Sequence, residues 1–150
     1  MWTNFGRFAL VAVAATGLLA VGDQDAQARY RRQYYSTWSY HTTTSYYYRT
    51  YYYYPTPVAT TYSYHYCIYY PSRPQYVYYY NPVSRAYWGR MEYGADGKPK
   101  GYSLLAEKDR KEKLSDIPES AFPAPAAMPA IPGTTDGEKV AAPPADLPKG

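Results

Sequence analysis

The sequence predicts a mostly disordered, low-complexity chain. It should carry a small antiparallel β-meander over about residues 64–105, one short helix over about residues 106–115, and a proline-rich extended tail. Three observations lead there. Twenty-three of the 150 residues are Tyr, so much of the 46% hydrophobic content carries a hydroxyl. After Ala28 only fourteen Val, Ile, Leu, Met or Phe remain, well below the aliphatic content from which chains build a conventional core. Turn residues nevertheless punctuate residues 64–105 at the spacing of short antiparallel strands. The scarcity of aliphatic residues also argues against a large enzyme with a deep pocket.

Residues 1–28 read as an address. Met1 to Arg7 is a short segment with one basic residue, Phe8 to Gly22 is apolar, and Asp23 to Ala28 is polar and ends in Ala26-Gln27-Ala28. That order is the pattern of a secretory signal peptide with a small-residue cleavage site, so cleavage is expected after Ala28. The alternative is a membrane anchor. An apolar run of this length spans about 22 Å as a helix, short of the ~30 Å hydrocarbon core. The mature chain is therefore expected to be exported to the periplasm, cell envelope or medium, with no membrane span.

Residues 29–63 read as an adhesive, low-complexity arm of Tyr, Thr, Ser and Arg. Tyr and Thr favour strands, but Tyr46-Tyr47-Tyr48 and Tyr51 to Tyr54 put Tyr on both faces, which leaves register poorly specified. Charge divides the mature chain. Arg29 to Arg90 holds seven Arg with no Lys and no acid, whereas Met91 to Gly150 holds eight basic and ten acidic residues. A one-sign, Tyr-rich segment favours anionic partners. In an exported chain these are anionic cell-envelope polymers or copies of the same protein, and nucleic acid is not expected. The plain alternative is that the Arg residues keep a sticky segment soluble.

Residues 64–117 are expected to fold. Tyr64 to Tyr70, Gln75 to Tyr80, Arg85 to Tyr93 and Gly101 to Leu105 read as strands. They are separated by Pro71 to Pro74, by Asn81 to Ser84, and by a loop holding the hairpin signal Asp96-Gly97. Aromatic cross-strand pairs would replace the aliphatic core. In the third strand, simple alternation puts Ala86, Trp88 and Arg90 on one face and Tyr87, Gly89 and Met91 on the other. Trp88, with Tyr87 and Arg90 beside it, is the candidate binding group, since an exposed Trp stacks on a sugar ring or a peptide. The competing reading is that Trp88 is core.

Cys67 is the single cysteine. It is either a buried strand residue or, in an oxidising compartment, the site of an intermolecular disulfide. His65 and Cys67 share a strand face, but two ligands make no closed metal site. No metal, cofactor or catalytic set is assigned.

Residues 106–115 consist of good helix formers, with Ser103 as N-cap and Glu107/Lys111 and Asp109/Lys113 as spaced ion pairs. Leu105, Leu114 and Ile117 are the contacts that would dock this helix. Pro118 to Gly150 holds eight Pro and favours polyproline II. Phe122, Met128 and Ile131 recur among the prolines as anchors that could lie over an aromatic sheet, and the stretch after Thr134 reads as disordered.

The run YWGR at Tyr87 to Arg90, followed by GYSLLAEKDRKEKLSDIPESAFPAPAAMPAIPG from Gly101 to Gly133, resembles small, exported, Tyr-rich bacterial proteins of unknown function. The resemblance implies that Tyr87 onward is a defined module, and it carries over no activity or site residue. The function expected from the sequence is that of an exported, non-enzymatic structural or interaction protein of the cell envelope, associating through multivalent Tyr and Arg contacts. The alternative is a small carbohydrate- or peptide-binding module using Trp88 and exposed Tyr residues.

Overall fold

Residues 31–149 are described by a computed structural model; the signal-peptide segment expected at residues 1–28 lies outside them. Arg32–Gly150 form one compact unit. Tyr and Thr are strand formers, and from Gln33 onward they form strands. These are β1 (Gln33–Tyr35), β2 (Ser39–His41), β3 (Tyr46–Tyr53), β4 (Ser63–Tyr69), β5 (Tyr76–Asn81), β6 (Ala86–Tyr93) and β7 (Pro99–Leu104). They make one curled antiparallel sheet in the order β1-β3-β4-β5-β6-β7, with β2 pairing beside β1 along β3. Asn81 Oδ1 accepts from the Val83 and Ser84 amides in the β5–β6 loop. Gly97, at φ +76°, supplies the left-handed residue of the β6–β7 turn.

The expectation of a mostly disordered chain is overturned. The arm expected at residues 29–63 contributes β1, β2 and β3. The reason is that the sheet is covered on both faces, so Tyr on both faces is what a buried strand needs. Residues at odd positions, among them Tyr51, Tyr53, Cys67, Tyr69, Val77 and Tyr79, pack with Met91, Tyr93 and Tyr102 beneath Ile131 and Val140. On the other face Ile68, Tyr78 and Tyr87 pack beneath Leu105, Ile117 and Phe122. Register is pinned by Arg49. Its guanidinium lies 4.3 Å from the Trp38 ring and 2.8 Å from Asp146. A one-residue slip would carry that charge to the wrong face.

No α-helix occurs among the described residues. The expected helix at 106–115 is replaced by extended chain with 3₁₀ turns at Glu107–Asp109, Leu114–Asp116 and Glu119–Ala121. Ser103 is not a cap but a β7 residue donating to the Pro123 carbonyl at 2.7 Å. A helix this short is marginal without an apolar stripe. Extended chain instead carries Leu105, Ile117 and Phe122 to separate positions on the sheet, and the Lys111 carbonyl accepts from the Tyr87 amide at 2.9 Å.

The proline-rich stretch is likewise packed, including the part after Thr134. Residues 123–126 pass the β7 edge, where Tyr102 and Ala126 exchange both backbone hydrogen bonds. The chain then crosses the odd-position face as a strap. Asp136 pairs with Arg32, Tyr35 donates to the Ala141 carbonyl and Trp38 to that of Asp146.

Pairing between β5 and β6 shifts between Tyr79 and Tyr80. This bulge leaves Trp88 as the extra residue and turns it away from Arg90. Trp88 packs in the same cluster as Met91 and Tyr102, whereas Tyr87 joins the opposite cluster. Simple alternation had divided these residues otherwise.

Gly89 sits beside the bulge. A Cβ there would fall 2.5 Å from the Ser103 carbonyl oxygen and 2.6 Å from the Tyr102 ring. Gly89→Ala is therefore expected to cost about 1–3 kcal/mol by overpacking, read as a lower urea midpoint. Co-melting with the wild type would refute the tight fit.

Candidate functional site

One stretch of the even-position face is left open. Register aligns Tyr66 with Tyr80 and Tyr80 with Tyr87, forming an aromatic row across β4, β5 and β6. Tyr46 and Tyr48 of β3 flank the row. His41 stacks on Tyr46 at 5.1 Å and 18° between planes, and Tyr46 meets Tyr70 edge-on at 5.7 Å. With Ile68 in the floor and Glu112 and Lys113 on one wall, these side chains enclose an open groove of about 590 Å³.

The groove is chemically a set of ring faces and phenol groups. Tyr70 and Tyr87 share a hydrogen bond at 3.0 Å. Burial, reinforced by that bond, raises the Tyr87 phenol, and burial with the neighbouring Tyr64 raises that of Tyr66. Both stay neutral, able to donate and to accept. Glu112 is tied to Arg85 at 2.8 Å, and His41 Nδ1 lies 2.8 Å from Thr44 Oγ1. The arrangement suits stacking and hydrogen bonding of an extended ligand.

The aromatic surface continues beyond the groove. Tyr64 meets Tyr66 at 5.6 Å, Tyr34 stacks on Tyr52 at 4.8 Å, and Tyr54 stacks on Tyr62 at 3.9 Å.

The residues singled out from the sequence lie mostly elsewhere. Trp88 is 8% exposed, enclosed by His65 at 5.2 Å and Tyr102 at 5.6 Å. It cannot stack on a ligand, and the bulge is the cause. Arg90 is sandwiched between Tyr76 at 3.7 Å and Phe122 at 4.0 Å, and it pairs with Glu119 at 2.8 Å. Of the three expected binding residues only Tyr87 reaches the groove, as part of its lining.

Cys67 is fully buried, and burial pushes its thiol up to about 12. It is a packed thiol, and a disulfide to another chain would require unfolding. His65, beside it on the strand face, is also fully buried. No cluster of three or more metal-ligating side chains occurs among the described residues.

Five arginines pair with carboxylates of the chain itself, Arg49 and Arg90 while buried and Arg73 and Arg85 at the surface. Arg32 pairs with Asp136, Arg49 with Asp146, Arg73 and Arg90 with Glu119, and Arg85 with Glu112. The basic and acidic halves of the sequence are thus partners of each other.

Tyr46, Tyr48, Tyr66, Tyr70 and Tyr80 were missed because low complexity hid them. The available signal was parity: once the turns are placed, Tyr46, Tyr48, Tyr66 and Tyr80 hold even positions in β3, β4 and β5 and fall on one face, with Tyr70 just past the end of β4. Among the described residues no helix is long and apolar enough to cross a membrane. Comparison with protein-family models, with curated proteins and with solved structures finds no match to the chain.

Proposed function

We propose that the chain is an exported, non-enzymatic interaction protein of the cell envelope whose working surface is the tyrosine groove over β2–β6. The observation that carries this reading is the groove itself: half-buried rings fixed by a sheet, open to solvent, with neutral hydroxyls. Rigid aromatic side chains give contact area at low entropic cost, as binding surfaces require. The non-enzymatic reading is supported by the groove's charged groups. Glu112 is held by Arg85, and the His41 ring meets the exposed Thr44 hydroxyl of its own turn in a segment, residues 29–90, that has no acidic residue to orient it.

Association through Tyr replaces association through Tyr and Arg together, because Arg32, Arg49, Arg73, Arg85 and Arg90 already have internal carboxylates. Retention on isolated cell-envelope material is then expected to change little with salt, since stacking on ring faces is not screened by ions as charge contacts are.

The test is a triple variant, Tyr48→Ser, Tyr66→Ser and Tyr80→Ser, compared with wild type for retention on that material. A loss of about tenfold or more is expected from three aromatic contacts. Equal retention of a variant with native circular dichroism would refute the reading.

A further inference from the structure

We infer that the groove seats a proline-rich, extended peptide carrying a carboxylate, supplied by another polypeptide. The inference rests on the groove being the working surface.

Continuity is the first support. The groove's floor residues Ile68 and Tyr87 belong to the cluster on which Leu105, Ile117 and Phe122 already lie, and Tyr46, Tyr66, Tyr70 and Tyr80 extend that same cluster. The groove is the uncovered end of a seat whose other end holds the chain's own proline-bearing segment.

Ligand chemistry is the second. Two segments of the chain lie largely extended on this sheet, the one beside the groove carrying Pro118 and the strap on the other face carrying five further prolines. Carbonyls of both segments, one of them a proline's, accept from side chains beneath them. Tyr35 donates to the Ala141 carbonyl at 2.8 Å, Trp38 Nε1 to Asp146 at 2.8 Å, and Ser103 to Pro123 at 2.7 Å. Each segment also places carboxylates on cations of the sheet. Glu119 meets Arg90, Asp136 meets Arg32, and Asp146 meets Arg49.

The groove repeats these elements without an internal partner. Among the described residues the hydroxyls of Tyr46, Tyr48 and Tyr80 make no hydrogen bond, and Lys113 makes no ion pair. Aromatic grooves accept polyproline II chains because that conformer is already extended and gives up little entropy. A neutral oligosaccharide could use the same rings and phenols but would leave the Lys113 ammonium of the groove without a carboxylate.

The probe is a labelled peptide of sequence IPESAFPAPAAMPAIP, a copy of residues 117–132, titrated into the purified full chain and followed by fluorescence anisotropy. Saturable binding is expected. Tyr66→Ala with Tyr80→Ala should weaken it about tenfold or more. Lys113→Met should weaken it up to about fivefold, and should have no effect on a peptide with Gln in place of its Glu. Tyr48→Phe with Tyr80→Phe keeps the packing and should weaken binding severalfold, so the test survives if the alanine variants fail to fold. Val58→Ser, at an exposed loop position, is the neutral control.

No binding, or binding unchanged in all the Tyr and Lys113 variants, would overturn the inference. An N-acetylglucosamine hexamer is titrated in parallel. If only the sugar binds, and loses affinity in the Tyr variants, the groove remains the working surface and the peptide assignment falls. If neither probe binds and envelope retention is unaffected by the Tyr variants, both fall.

Discussion

A chain ending at Phe122 is expected to lose its cooperative unfolding transition. Without the strap, Ile131 and Val140, at 1% and 2% exposure, leave the odd-position face of the sheet, and Met128 and Leu147 leave with them. Full burial of one aliphatic side chain contributes about 1.5–3 kcal/mol. The strap thus contributes on the order of 5 kcal/mol, comparable with the whole margin of a small domain. Arg49, now 1% exposed, would also lose its Asp146 partner. Urea titration followed by near-ultraviolet circular dichroism checks this. A truncated chain that melts sharply near the wild-type midpoint would refute it. Ile131→Ala is the milder version, expected to cost about 2–5 kcal/mol.

Acid lability between pH 6.5 and 4 is the second large effect, and it is assigned to His65. The ring is fully buried, and neither nitrogen has a hydrogen-bond partner among the described residues. Burial, with a smaller contribution from the Arg110 charge, lowers its pKa to about 4. In the unfolded chain it titrates near its ordinary ~6.5. Between those values the unfolded state binds a proton that the folded state refuses, so stability falls as pH falls through the window. The loss amounts to about 3 kcal/mol by pH 4, taking ~1.36 kcal/mol per unit. His65→Leu is expected to flatten the stability profile across that window. A variant with the same acid slope as wild type would place the effect elsewhere. Asp136, held well below the usual carboxylate range chiefly by Arg32 and Thr134, acts only at lower pH.

The parts legible in the sequence were those marked by turn chemistry. Asn81-Pro82 and Asp96-Gly97 each sit between strands, and β4 to β7 fall on the four segments read as strands. The arm and the tail were not legible, for one shared reason. Each looked too poor in aliphatic residues to fold, and each is the cover the other lacked. Tyr51 and Tyr53 share one buried cluster with Ile131 and Val140, and no local pattern records a contact between segments so far apart. The helix was misread because Glu, Lys and Asp in Ala106 to Leu114 satisfy local propensity, while Leu105, Ile117 and Phe122 need extended chain to reach their places. Trp88 was misplaced by one bulge, which resets alternation and which composition does not reveal. The candidate groove was invisible for a plainer reason: its residues are of the same type as those in the core around it.

The pairing of the two charge halves also sets an order of events. Arg32 and Asp136 are 104 residues apart in sequence, and Arg49 and Asp146 are 97 apart. Such contacts close slowly, because loop entropy must be overcome before any of them forms. They also cannot form at all until the acidic segment has been synthesised. Until then β3 holds a desolvation-prone arginine with no carboxylate, and the odd-position face has no cover. The chain is therefore expected to stay open while residues 31–122 are being made and to fold once the strap is present. In the proposed export route this delay is useful, since a polypeptide threaded through a membrane must not fold beforehand.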